Sequence, residues 1–297
     1  MGGERLVWID GVRALAILLV IGFHVAYELT LDQNLRFIGY IGDSLFFIAS
    51  GFMLAQRYPG IKKFDAKWLF RRYVKIASLY YPALIAMVLL FFANQGLLMN
   101  AYDLLLHFLF LNWISPDYLY SLISPAWFVI PLMAFYIAFP YLNRLMAWSK
   151  YAILVVFLIT VADRIFEGGW ASYYPIFFLG DFCFGIAFAQ DRKNRALLAP
   201  LMTAAISPIM LVPYAAFYLL SFLENCKSAL LGILPFIGRY TFELFLFHES
   251  VMKVALGKWN VYGLGVLPSL AVLLLSLLLV EKISIGIQRR LLPKAGD

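Results

Sequence analysis

Charge is scarce in this 297-residue chain: 14% of its residues are Asp, Glu, Lys or Arg, where a soluble domain carries about a quarter. Cysteine is scarcer. Cys183 and Cys226 cannot build a disulfide framework, and neither stands in a metal-type spacing, so no metal is expected. No Ser/Gly-rich linker, low-complexity stretch or transporter-like internal repeat interrupts the sequence. No long polar segment exists that could hold a nucleic acid. The net charge of +7 therefore reads as basic residues at membrane boundaries.

What the chain has is hydrocarbon. Hydrophobic residues make up 63% of it, spread from end to end, and the mean hydropathy is +0.83. Backbone groups in a bilayer must be satisfied internally, so the spans are helices or a closed barrel. Unbroken apolar runs rule for helices, because barrel strands alternate. The expectation is an all-α, polytopic integral membrane bundle forming one domain over 1–297. About ten spans are read, at 8–29, 37–56, 74–95, 101–114, 126–147, 150–163, 173–190, 197–222, 231–256 and 262–284. Those at 101–114 and 150–163 are short enough to be re-entrant or tilted. The first run lacks a small-residue cleavage site and is followed by Tyr27 and Glu28, so it reads as a retained span.

Orientation follows from Arg57, Lys62, Lys63, Lys67, Arg71, Arg72 and Lys75, a short cationic segment that belongs in the cytoplasm. The N-terminus is then cytoplasmic, in the cell membrane. The tail with Lys282, Arg289, Arg290 and Lys294 also belongs inside, which needs an even number of spans. Arg192, Lys193 and Arg195 run against the rule in a ten-span arrangement.

The first span, "WIDGVRALAILLVIGFHVAYEL", carries Arg13 and His24. Eleven residues at about 100° each complete three turns plus roughly 20°, so both share one face, about 16 Å apart along the axis. Arg13 either snorkels to the cytoplasmic surface or serves a site there. His24 lies deeper, where an ionisable group is costly and usually functional, and an imidazole suits proton abstraction from a hydroxyl. Asp10 is placed to cap this helix. In "GYIGDSLFFIASGF", Asp43 is counted to the depth of His24, either to hold its imidazole or as a helix cap or interfacial carboxylate. Ser50-Gly51 reads as a close helix-packing spot. Arg71 and Arg72, in "LFRRYVKIASLYYP", stand level with Arg13, and their forked donors suit phosphate. His107 reads as a satisfied bundle histidine, whereas Asp103, Asp181 and Glu243 take no role from spacing.

These residues, in this order, resemble membrane acyltransferase family 3, which includes the sugar O-acetyltransferases of bacterial polysaccharides. "IDGVRALAILLVIGFHV" matches the family's opening motif nearly throughout. "IGDSLFFIASGFML", the paired-arginine segment, "PAWFVIPLMAFYIAFP", the "FFLG" at 177–180 and "GRYTFELFLFH" are similar to its later ones. The resemblance implies an acyl-CoA donor, probed from the cytoplasm by Arg13, Arg71 and Arg72, with His24 as catalytic base. It adds Trp127 and Tyr136 as acceptor or cavity lining; His248, which ends the last of these motifs, reads either as a structural hydrogen-bonding residue or as an aid to proton transfer. Two departures stand out: no glutamate follows Trp127-Phe128, and the late Ser-Tyr pair is Thr241-Phe242.

The expected activity is transfer of an acyl group, acetyl first, from acyl-CoA to a hydroxyl of a lipid-linked or exported sugar or polysaccharide. Asp43 would orient His24; direct transfer and a covalent acyl-histidine both fit. The competing reading is a proton-coupled transporter or flippase for a glycan-type substrate. Expected partners are membrane lipid, acyl-CoA and the sugar acceptor, not nucleic acid, with a second copy of the chain left open.

Overall fold

The computed structural model describes residues 6–61, 63–92, 100–114, 116–167, 174–192, 195–225, 233–258 and 261–292. Lys62, Lys193, Cys226 and Lys294 lie outside them. The described residues are helical, with no strand among them. In chain order the helices are α1 (Val7–Thr30), α2 (Arg36–Arg57), α3 (Ala66–Met87), α4 (Ala101–Phe108), α5 (Pro116–Leu119) and α6 (Val129–Trp148). They continue as α7 (Ala152–Glu167), α8 (Leu179–Gln190), α9 (Val212–Ser221), α10 (Ile233–Arg239), α11 (Thr241–Ala255) and α12 (Val266–Leu291).

Five helical stretches among the described residues are long and apolar enough to cross a membrane: Val7–Thr30, Gln33–Arg57, Ala66–Leu90, Ser124–Trp148 and Val266–Leu291. They answer to the expected spans at 8–29, 37–56, 74–95, 126–147 and 262–284. The all-α membrane bundle holds; the count of ten does not appear as ten continuous helices. The run at 101–114 forms only the eight residues of α4 before the chain turns at Phe110, whose φ is 57°. The run at 197–222 is a 3₁₀ stretch, Arg195–Ala205, with Pro200 inside it, followed by a second turn and α9. Proline removes a donor and crowds the preceding turn, which works against a continuous α-helix there. The run at 231–256 is broken at Tyr240, between α10 and α11. Hydropathy sees apolar length; it does not see these breaks.

The chain divides into two compact units, residues 1–64 with 134–241, and 65–133 with 242–297. In the first, α2 is the central rod: α1 packs on one side of it and α8 on another. A Cβ on Gly51 would run into the Phe182 carbonyl of α8, and one on Gly185 into the Ile48 carbonyl of α2. The two backbones touch through reciprocal glycines, as small residues allow where helices meet in lipid. This is the packing role read for Ser50-Gly51. Around the crossing, Phe47 stacks beside Phe178 at 4.5 Å and Phe135 beside Phe182 at 4.6 Å between centroids.

Replacing Gly185 by Ala forces these backbones apart, and overpacking of this kind costs about 1–3 kcal/mol or more. A clear drop in detergent melting temperature is expected. Gly22→Ala, whose Cβ would meet nothing within 4 Å, is the control and should leave melting unchanged or slightly raised.

In the second unit α3 lies along α12. Ser78 and Ser284 hydroxyls meet at 3.0 Å, and the Gln288 amide donates to both, at 3.0 and 3.1 Å. The short α4 is tied back by Tyr80, whose hydroxyl donates to the His107 carbonyl at 3.2 Å.

Candidate active site

α1 begins at Val7 with Leu6 as its N-cap residue and no side-chain cap, so Asp10 is a buried first-turn residue, not the cap expected of it. From there α1 runs unbroken to Thr30. Arg13 and His24 therefore keep their shared face, about 16 Å apart at 1.5 Å per residue. Both are half-buried, and the His24 ring lies 4.8 Å from that of Phe23.

Asp43 departs from expectation. Glycines fix the stagger of α1 on α2: the Phe23 ring lies 2.8 Å from where a Gly39 Cβ would sit, and the Ala16 carbonyl 2.6 Å from that of Gly42. This sets Asp43 opposite the turn around Leu18, roughly 9 Å nearer Arg13 than His24 is. Counting residues back from the loop had placed the two at one depth; counting does not see the slide that close glycine packing imposes. Asp43 is 7% exposed, its Oδ1 has no hydrogen-bond partner, and no bond joins it to His24 among the described contacts.

One buried charge cluster was missed by the sequence reading. Arg164 of α7 is 1% exposed and spends its fork on three acceptors: the Phe177 carbonyl at 3.0 Å, the Tyr40 hydroxyl at 2.8 Å and the Asp181 carboxylate at 2.6 Å. Tyr214 donates to the other Asp181 oxygen at 2.5 Å. The cluster fastens α2, α7, α8 and α9 at one level. Arg164 meets one Asp181 oxygen and Tyr214 the other, so the carboxylate is held from two helices, which is a structural tie and not a poised catalytic group. The only signal in sequence was an arginine in "TVADRIFE" and an aspartate in "FFLGD", each inside an apolar run.

In the second unit, Arg71 and Arg72 stand in the second turn of α3, whose first amides are capped by Asp65. Arg71 is exposed and, with Lys67, Phe70 and Leu291, lines a surface cleft of about 350 Å³; the Arg72 guanidinium lies 5.8 Å above the Trp68 ring.

A second group of polar residues forms around α11. The His248 Nδ1 is 2.7 Å from the Phe245 carbonyl, which can only accept, so Nδ1 carries a proton and a neutral ring has its lone pair on Nε2. The adjacent Glu249 accepts a hydrogen bond from Ser124 Oγ at 2.9 Å, and Lys253 Nζ lies 3.4 Å from its other oxygen. Ser124 opens the 3₁₀ turn Ser124–Phe128 that carries Trp127, and Phe128 packs on Phe245 at 4.9 Å between centroids. Trp127 and His248 are thus brought to one neighbourhood of this unit. Tyr136 is half-buried on α6 in the first unit. His107, expected to be a satisfied bundle histidine, is only half satisfied: it is fully buried with Nδ1 3.1 Å from the Asp103 carboxylate that also accepts from Ser121 at 2.8 Å, while its Nε2 has no hydrogen-bond partner among the described residues.

A family model described as an acyltransferase domain matches residues 6–207, a stretch that includes the whole of α1 and the paired arginines of α3. The chain belongs to acyltransferase family 3. It is a membrane acyltransferase, as the resemblance of the opening motif implied. The match ends before α11, so His248 and Glu249 lie beyond the matched region. No curated protein and no solved structure matches the chain significantly.

Proposed function

We propose that this acyltransferase moves an acyl group, acetyl first, from acyl-CoA to a hydroxyl of a lipid-linked or exported sugar, in the cell membrane with its N-terminus cytoplasmic. The observation that carries the reading is α1: one unbroken helix within the family match presents a guanidinium and, about three turns on, an imidazole on the same face. Arg13 binds a phosphate of the donor. Arg71, exposed on α3, and the half-buried Arg72 beside it, both with forked donors, are assigned to donor phosphate as well. His24 takes the proton from the acceptor hydroxyl as its oxygen attacks the thioester carbonyl. Collapse of the tetrahedral adduct breaks the carbon–sulfur bond, and the thiolate leaves with a proton as free CoA. His248, protonated at Nδ1, offers Nε2 as a second proton acceptor. The orienting role expected of Asp43 is not carried forward.

The test is free-thiol release from acetyl-CoA by the purified protein, with and without glycan acceptors. Acceptor-dependent release supports the reading; proton-dependent glycan uptake into proteoliposomes without thiol release supports the transporter instead. Replacing Arg13 by Ala removes one charge-assisted phosphate contact, worth about 1.5–3 kcal/mol. The apparent KM for acetyl-CoA should rise by about tenfold or more, with kcat little changed, in initial-rate measurements.

A further inference from the structure

A buried carboxylate is costly unless it is paired or something there needs it. Glu249 is 9% exposed, near the middle of α11, and its placement is specific. Ser124 holds one oxygen at 2.9 Å across 125 residues of sequence, and Lys253 stands 3.4 Å from the other, one turn along the same helix. Ser124 belongs to a 3₁₀ turn, in which residues three apart eclipse one another. Trp127 therefore stands one 3₁₀ turn on from Ser124, on the same side of that turn. The Phe128–Phe245 contact pins the same turn onto α11. Trp127 is half-buried, so part of its surface is open.

A carboxylate is an acceptor-only group with two oxygens, and an indole offers a broad apolar plate. Together they match a ring that has hydroxyl donors on its rim and C–H bonds on its face. A structural salt bridge would need neither the serine nor the indole. We propose that Glu249, held by Ser124 and Lys253 beside Trp127, accepts hydrogen bonds from hydroxyls of the acyl acceptor and sets which polyol rings the enzyme takes. This rests on the acyl transfer proposed above and adds the group that selects the acceptor.

The experiment uses the full-length protein in lipid nanodiscs, acetyl-CoA as donor and a panel of methyl hexopyranosides as acceptors. Thiol release gives separate KM values for donor and acceptor, and acceptor-free thioester hydrolysis is recorded alongside. Glu249→Gln keeps the size of the side chain and an oxygen for Ser124, but loses the charge. Its acceptor KM should rise about tenfold or more, the gain expected of a hydrogen bond to a charged group. Its KM for acetyl-CoA and its acceptor-free hydrolysis should match the wild type. Glu249→Asp should recover part of the loss, and Ser124→Ala should raise the acceptor KM by a smaller factor.

An unchanged acceptor KM in Glu249→Gln overturns the proposal. So does a parallel loss of donor affinity, hydrolysis and acceptor affinity, which marks a structural tie. Wild-type hydrolysis that no glycoside accelerates overturns it too. If the wild type releases no thiol at all, the acyl-transfer reading is what has failed. Glycoside quenching of tryptophan emission, absent from Trp127→Phe, then decides for Glu249: quenching lost in Glu249→Gln supports its role, and quenching kept or never seen overturns it.

Discussion

Alanine at position 24 is expected to abolish acyl transfer while leaving the protein folded. General-base catalysis contributes about 10²–10⁴-fold, so thiol release should fall to the acceptor-free background. The substitution should be structurally mild. His24 is half-buried, one turn and a half from the end of α1, and its ring borders that of its neighbour Phe23. Melting temperature and acetyl-CoA affinity are therefore expected to match the wild type. His24→Asn, which keeps polarity but cannot take the proton, should be as inactive. An active His24→Ala would remove the base from the mechanism.

The second large effect falls on stability. Asp181→Ala strips the carboxylate from a guanidinium that is 1% exposed, and an uncompensated buried charge costs about 3–5 kcal/mol. The Tyr214 hydroxyl loses its acceptor at the same time. The variant should express poorly or melt far below the wild type in detergent. Replacing Arg164 and Asp181 together by leucine removes both charges, and should recover much of the loss, since well-packed apolar pairs often replace buried ion pairs at little cost. A single variant as stable as the wild type would show that Arg164 does not depend on Asp181.

The two effects differ in how far the sequence announced them. Periodicity alone put Arg13 and His24 on one face, because an unbroken helix of known pitch needs nothing but spacing. Apolar length likewise marked α2, α3, α6 and α12. The Arg164–Asp181 tie was not legible: its partners sit seventeen positions apart in different helices, and Tyr40 and Tyr214 arrive from further still. Asp43 shows the same limit from the other side. Its depth was counted from the loop, but the glycines of α2 set the stagger, and only the packed helices reveal it. The breaks at Phe110 and Tyr240 fall inside apolar runs, where hydropathy is blind to backbone turns. Glu249 was overlooked because its meaning depends on Ser124, far away in sequence and adjacent in space.

The most direct test of the central claim measures donor affinity and turnover on the same preparations of wild type, Arg13→Ala and His24→Ala. The account predicts a division along α1: Arg13→Ala weakens acetyl-CoA binding and keeps turnover at saturating donor, whereas His24→Ala keeps binding and loses turnover. Loss of the same parameter in both variants, or of neither, would contradict it.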